Sequence, residues 1–239
     1  MATQAQINTH DRNLRRIADD FAQGLEPLFE QFYDRLATAP NPDRLWVQQN
    51  FQPIRQYAQN STGVLSDVLD SNLAMNSDIT GTVLQPQTQS TLPQLEQEVI
   101  ASVEAQIDQE QNNILNSLGM AALVGGLTAA ALGELRNTIS SAVRRIKIRY
   151  GMSTRNFDGA VTLLQGQNQP NVVYRYTGGI VKESRDFCTR MDGRTLTEAE
   201  IRNIWSTQSW QGKQPGDPFV VRGGYNCRHI FVAEERTNA

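Results

Sequence analysis

The sequence predicts an α+β fold: a long-helix-rich N-terminal part followed by a small C-terminal α+β module with a short antiparallel sheet. Two observations carry that expectation. Apolar residues recur at helical spacing from Leu14 to Leu36 and again from Leu95 to Leu118. From Asn171 the period changes: Asn171-Val-Val-Tyr-Arg-Tyr-Thr177 is β-branched and aromatic, and it stops at Gly178-Gly179. With 39% apolar residues in a chain of 239, there is enough material to bury a core. The expected organisation is an N-terminal helical region (1–90), long helices with a Gly/Ala-rich segment (91–155) and a C-terminal module (156–239).

The first helix is expected from about His10 to Ala37, with apolar positions Leu14, Ile17, Phe21, Leu25, Leu28, Phe29, Phe32 and Leu36 close to the helical period and Thr9 as its cap. Pro40 and Pro42 end it, because each disfavours helical geometry in the residue before it. A second helix is expected over 42–57, kinked at Pro53, and the polar stretch 60–92 reads as a short helix plus irregular connection. A long helix should then start at Thr91, with Pro93, Glu96 and Glu98 in its first turns and an apolar stripe from Leu95 to Leu118.

Residues 118–133 carry no charge. At about 1.5 Å per residue these sixteen positions span about 24 Å, short of the roughly 30 Å hydrocarbon core, so a membrane span is not expected. Gly119, Ala122, Gly125, Gly126, Ala129 and Gly133 suit close helix approach instead, with Gly125-Gly126 as a break. A basic helix follows from Arg136 to Arg149. In the C-terminal module, Thr197-Glu-Ala-Glu200 is a capping box opening a short helix, 211–218 is a loop, and 219–221 and 229–232 are expected strands.

The net charge of −3 hides a segregation: residues 56–135 hold nine acids and no Lys or Arg, while 136–239 hold sixteen basic groups against nine acids. Such a chain can present an acidic face to one neighbour and a basic face to another, although charge runs are also ordinary solvated faces. Arg144, Arg145, Lys147 and Arg149 fit two readings, dipole matching at a helix C-terminus or contact with phosphates or an acidic partner. Twenty-three glutamines favour solvated helices and polar contacts between subunits. The charged first forty residues do not resemble a signal peptide, so synthesis in the cytosol is expected.

The chemistry-bearing residues lie in Arg185-Asp186-Phe187-Cys188, Met191-Asp192-Gly193 and Gly223-Gly224-Tyr225-Asn226-Cys227-Arg228-His229. Three fates are open to the cysteines. Cys188, Cys227 and His229 could ligate zinc with Asp186 or Asp192 as fourth ligand; Cys188 and Cys227 could pair as a disulfide outside a reducing cytosol; or both could be small buried hydrophobes in a polar knot. A nucleophilic Cys with His229 as base is the enzyme reading. No nucleophile elbow, phosphate loop, HExxH helix or dinucleotide fingerprint accompanies it, so an enzyme is not expected.

The same residues, Tyr176-Thr-Gly-Gly-Ile-Val-Lys-Glu-Ser-Arg-Asp-Phe-Cys188, then Met191-Asp-Gly-Arg-Thr195, then Gly223 to His229, resemble the C-terminal module of the phage Mu F-like minor head, or head morphogenesis, proteins of tailed bacteriophages. That family is marked by a TR or SR dipeptide, a following Asp-Gly and a terminal Asn-Cys-Arg-Cys or Asn-Cys-Arg-His. The match covers about residues 150–235. It implies a low-copy virion structural protein at the portal vertex, contacting portal, capsid or neck proteins and further copies of itself. It implies no established enzymatic activity for this module, and no cofactor is expected other than the zinc that the cysteines could hold; Arg185, Asp186, Cys188, Asp192, Gly193, Gly223, Gly224, Asn226, Cys227, Arg228 and His229 become structural motif residues. Some relatives carry C-terminal toxin domains, for which a chain ending at Ala239 has no room, and its shortness leaves interior head and neck adaptor positions both open.

Overall fold

The computed structural model describes residues 2–80, 84, 86–123, 125–167, 169 and 171–236. Val124, within the Gly/Ala-rich segment, and Ala239 lie outside the described residues. The fold is α+β, as the periodicities predict. Among the described residues six α-helices come first, with a 3-10 turn (Ser61–Gly63) between the third and fourth: α1 (Gln4–Thr38), α2 (Arg44–Asn50), α3 (Gln52–Asn60), α4 (Val64–Thr80), α5 (Pro86–Leu123) and α6 (Ala129–Gly166). The C-terminal elements are β1 (Val172–Thr177), α7 (Asp186–Met191), β2 (Thr195–Leu196), α8 (Glu198–Thr207), α9 (Pro218–Val221) and β3 (Ile230–Glu235). No helix among the described residues is long and apolar enough to cross a membrane.

Several boundaries differ from expectation, each for a local reason. Helix α1 starts before Thr9 because Thr3 caps it: Gln6 N–H donates to Thr3 Oγ1 at 3.2 Å and Thr3 N–H donates to Gln6 Oε1 at 2.7 Å. The expected 42–57 helix is two helices meeting at Phe51, with Pro53 in the first turn of α3. The polar 60–92 stretch holds the whole of α4 and the start of α5, so Pro93 lies inside a helix that opens at Pro86. Phe219-Val-Val221 is helical, not a strand. Asp217 accepts the Phe219 N–H at 2.9 Å and Pro218 occupies the first helical position, a start signal that outweighs the β-branched pair. Arg136 to Arg149 sits in the middle of α6, whose last residue is Gly166, so dipole matching cannot be the role of its cations.

The chain forms two compact units, each drawn from separated stretches: unit 1 from Met1–Arg15, Val64–Gln97 and Met152–Ala239, unit 2 from Arg16–Gly63 and Glu98–Gly151. The expected segments 1–90, 91–155 and 156–239 therefore contribute jointly to these units. Unit 2 is all helix around an aromatic and aliphatic core. Phe21 stacks on Tyr150 with centroids 3.8 Å apart, Phe29 and Phe32 meet Phe51 edge-on, and Val103, Ile107, Ile114 and Ile146 of the same unit are buried.

Unit 1 holds the sheet. Its strand order is β2-β1-β3, antiparallel throughout, with Tyr174 opposite Leu196 on one side and Tyr176 opposite Phe231 on the other. Tyr174 and Tyr176, two residues apart, turn to one face and pack with Phe187, Trp205, Phe219 and Phe231. The outer edge of β3 is protected: the Ala233 N–H donates to Asn76 Oδ1 from α4 at 3.1 Å.

Close helix approach does occur, but not at the glycines expected to provide it. A Cβ on Gly119, Gly125, Gly126 or Gly133 would meet nothing within 4 Å, although Gly125 and Gly126, at φ 107° and 96°, do make the expected break between α5 and α6. In α6 the tight positions are Gly151 in unit 2, whose Cβ would lie 3.1 Å from Ala18, and Gly159 and Gly166 in unit 1, where it would lie 2.1 Å from the Phe219 carbonyl oxygen and 2.2 Å from the Tyr174 hydroxyl.

Candidate metal centre and its supporting knot

The motif residues converge at one end of the sheet in unit 1. Helix α7 is short, and its first turn points Asp186 outward to solvent while Phe187 and Cys188 turn inward. Phe187 stacks on Trp210 at 3.6 Å between centroids and meets Trp205 edge-on at 4.8 Å. Those two indoles hold the returning chain, Trp205 Nε1 donating to the Arg222 carbonyl at 2.6 Å and Trp210 Nε1 to the Gly223 carbonyl at 2.9 Å. The chain between α9 and β3 is thereby pressed against α7, and Cys227 comes to face Cys188.

The two sulfurs are 3.9 Å apart as free thiols, and His229 Nδ1 is 3.9 Å from Cys227 Sγ. The three side chains are buried, with their ligating atoms all within 4.8 Å of one another. Tyr176 completes the cluster: its hydroxyl is 3.3 Å from Cys227 Sγ and 3.6 Å from Cys188 Sγ, and its ring lies parallel to the His229 imidazole at 4.7 Å. Of the two candidate acids, Asp186 takes no part. Asp192, the C-cap of α7, places Oδ1 3.4 Å from His229 Nε2 and accepts the Gly178 N–H at 3.0 Å. That 3.4 Å approach is an ion-pair distance without hydrogen-bond geometry, so Nε2 is buried with no hydrogen-bond partner among the described residues.

The remaining motif residues build the frame. Arg185 donates through Nε to the Gln211 carbonyl at 3.0 Å and through an Nη to the Tyr225 carbonyl at 2.6 Å, tying two loops together. Gly193, at φ 77°, donates its N–H to the Tyr176 carbonyl at 2.7 Å. Gly224, at φ 102°, passes so close to Gly212 that a Cβ would lie 1.8 Å from the Gly212 carbonyl oxygen. Gly223 lies over the cysteines, where a Cβ would come within 2.4 Å of Cys188 Sγ and 2.9 Å of Cys227 Sγ. Asn226 takes a left-handed conformation at φ 54°, and Arg228 is exposed while its carbonyl accepts from Arg155 at 3.3 Å. A cleft of about 640 Å³, lined by Ser184, Arg185, Asn226 and Arg228 among others, reaches Cys188, Cys227 and His229.

The electrostatics separate the two thiols. The hydrogen bond with Cys188 lowers the Cys227 thiol well below its ordinary value, with His229, the Arg222 cation and Tyr176 adding to it against burial. Cys188 is pushed up by the same hydrogen bond and by burial, and burial raises the Tyr176 hydroxyl so that it stays neutral. Arg222 is itself buried, at φ 48°, donating to the Arg155 carbonyl and to Asn156 Oδ1 at 3.1 Å.

Arg222 and the two indoles lie outside the motif stretches and Tyr176 only opens one, and none was among the expected site residues; the inward-facing Tyr174/Tyr176 alternation was the available signal for the tyrosine. A second polar cluster in unit 1 was equally silent in sequence. The buried His10 ring bonds Ser71 Oγ and Asp158 Oδ1, each at 2.8 Å, and Asn72 Nδ2 donates to the same carboxylate oxygen at 2.6 Å.

The basic quartet divides within unit 2. Arg145 forms a two-toothed pair with the fully buried Glu110, at 2.7 and 2.6 Å, and Lys147 pairs with Asp19 at 2.5 Å. Arg144 is exposed and lines a cleft with Glu26, Glu30 and Asp34. Arg149 is half-buried. Compared with known proteins, the chain matches no family model, no curated protein and no solved structure.

Proposed function

We propose that the chain is a structural protein of a tailed-bacteriophage virion, a minor head protein working at or near the portal vertex in head assembly and in packaging or delivering the genome. The observation that carries this reading is the use made of the residues resembling the Mu F-like module. Arg185, Gly193 and Gly224 bind or closely approach backbone, Gly223 closes over the cysteine sulfurs, and together they pin loops to the sheet and to α7, so the motif reads as the determinant of a compact anchoring module. The helical unit 2 supplies surfaces for portal, capsid or neck proteins and for further copies of the chain. Arg144 is the quartet's exposed candidate for an acidic partner or DNA backbone, a contact that would weaken steeply with salt.

Electron microscopy of intact particles tests the proposal. The expected result is ring-like density for this chain at the portal vertex, inside the head or, for an adaptor, on the outer face of the portal ring. Particles that form, fill and infect normally without the chain would overturn it. A second reading, a thiol- or metal-dependent hydrolase or nuclease, is favoured by one observation: the lowered Cys227 thiol stands beside His229 at the end of a cleft. That reading requires turnover of a phage-derived substrate that disappears in Cys227→Ser.

A further inference from the structure

We infer that Cys188, Cys227 and His229 form a zinc site, ligating through both Sγ atoms and His229 Nδ1, with Asp192 holding the imidazole from its far side. Bond lengths of about 2.3 Å to sulfur and about 2.0 Å to nitrogen put the edges of a tetrahedral site near 3.8 Å between sulfurs and near 3.5 Å between sulfur and nitrogen. The observed separations are 3.9 Å between the sulfurs and 3.9 Å between Cys227 Sγ and His229 Nδ1, with every ligating atom within 4.8 Å of the others. An ion can therefore be taken up by small side-chain shifts, without moving α7 or β3. Two thiolates and an imidazole form a donor set that suits zinc and disfavours magnesium or calcium, which take oxygen ligands.

The surroundings fit the same assignment. Ligation through Nδ1 fixes the imidazole proton on Nε2, the buried atom that has no hydrogen-bond partner among the described residues and faces Asp192 Oδ1 at 3.4 Å. A carboxylate behind a ligating histidine is the usual outer support of a zinc site. The Tyr176 hydroxyl, 3.3 and 3.6 Å from the sulfurs, can donate to a thiolate. Gly223 roofs the sulfurs at a distance no side chain tolerates. The cleft that reaches all three residues admits the ion and a water molecule as fourth ligand. On binding, each ligating thiol gives its proton to solvent and the ion's charge is balanced by the two thiolates. The assignment holds whether the chain serves assembly or catalysis.

The test uses the full chain, purified under reducing conditions without chelator. Elemental analysis should find about one zinc per chain. Cobalt(II) loaded into the chelator-treated protein should give an intense sulfur-to-metal charge-transfer band, and zinc should raise the melting temperature. Cys188→Ser and Cys227→Ser should abolish the band, and Asp192→Asn, which keeps all three ligands, should weaken metal affinity about 10- to 100-fold. The Asp192→Asn affinity ratio reads the site even if a cysteine variant fails to fold. A folded full chain that takes up neither zinc nor cobalt, or a Cys188–Cys227 disulfide that forms in preference to metal binding under these conditions, would overturn the assignment.

Discussion

Gly223 is the residue on which the packing of the candidate centre turns, because its missing side chain is what lets the chain cross over two sulfur atoms. Its Cβ would stand 2.4 Å from Cys188 Sγ and 2.9 Å from Cys227 Sγ, and both cysteines are buried. Gly223→Ala should therefore cost about 1–3 kcal/mol of stability, read as a lower denaturation midpoint, and an unchanged midpoint would count against this packing. The types of residue at the centre were legible in the sequence, since cysteine and histidine stand out in a chain with two of each. Their partners were not. Asp186 and Asp192 looked equivalent as acids near Cys188, and only the short helix α7, which turns one outward and leaves the other at its C-cap, separates them. Tyr176 reaches Cys227 across 51 positions, a contact fixed by strand register that no local spacing encodes.

At the level of elements, the long helices and the strands β1 and β3 followed their periodicities, while the strand expected at 219–221, the helix ends and the helix contacts did not. Leu14 to Leu36 and Leu95 to Leu118 announced α1 and α5, and the Thr197/Glu200 capping box opens α8 as its spacing requires. The start of α9 was missed because the β-branched Val220-Val221 drew attention from Asp217-Pro218. Glycine made the sharper lesson: composition marks where small residues cluster but not which of them another backbone touches. Two substitutions separate the cases. Gly119→Ala, near the C-terminal end of α5 with open space around it, should stabilise the protein by about 0.5–1 kcal/mol by restricting the unfolded chain. Gly159→Ala should destabilise it, since its Cβ would collide with the Phe219 carbonyl oxygen, a backbone atom with no rotamer to change. Thermal melts of the pair should move in opposite directions.

Across the whole molecule, the charge segregation of the sequence is partly consumed inside unit 2, where Glu110, from the stretch without cations, meets Arg145. The asymmetry of that pair sets its energetics. Glu110 is fully buried, whereas the Arg145 side chain is 41% exposed. Arg145→Met should therefore cost more than Glu110→Gln, about 3 kcal/mol, because it strands a carboxylate and not a cation that can turn to solvent. Burial pushes the Glu110 carboxyl up, but Arg145, Asn113 and Gln106 together hold it below its ordinary 4.5; in unit 1, burial of Asp158 is likewise outweighed by His10, Asn72 and Arg222. A carboxyl lowered on folding contributes stability that is complete above its free value and lost as pH falls through its folded value. Acid titration followed by circular dichroism should thus show stability falling below about pH 4.5, less steeply in Glu110→Gln; parallel curves would remove Glu110 from the account. Order of synthesis adds a consequence of the interleaved units. Every residue of unit 2 has been made once Gly151 leaves the ribosome, whereas the sheet of unit 1 waits for Ile230–Glu235. During that interval Ile7, Leu14, Leu65 and Val68, buried in the finished protein, belong to a unit whose last strand has not been translated, which leaves the apolar surface of unit 1 open to aggregation for longer than that of unit 2.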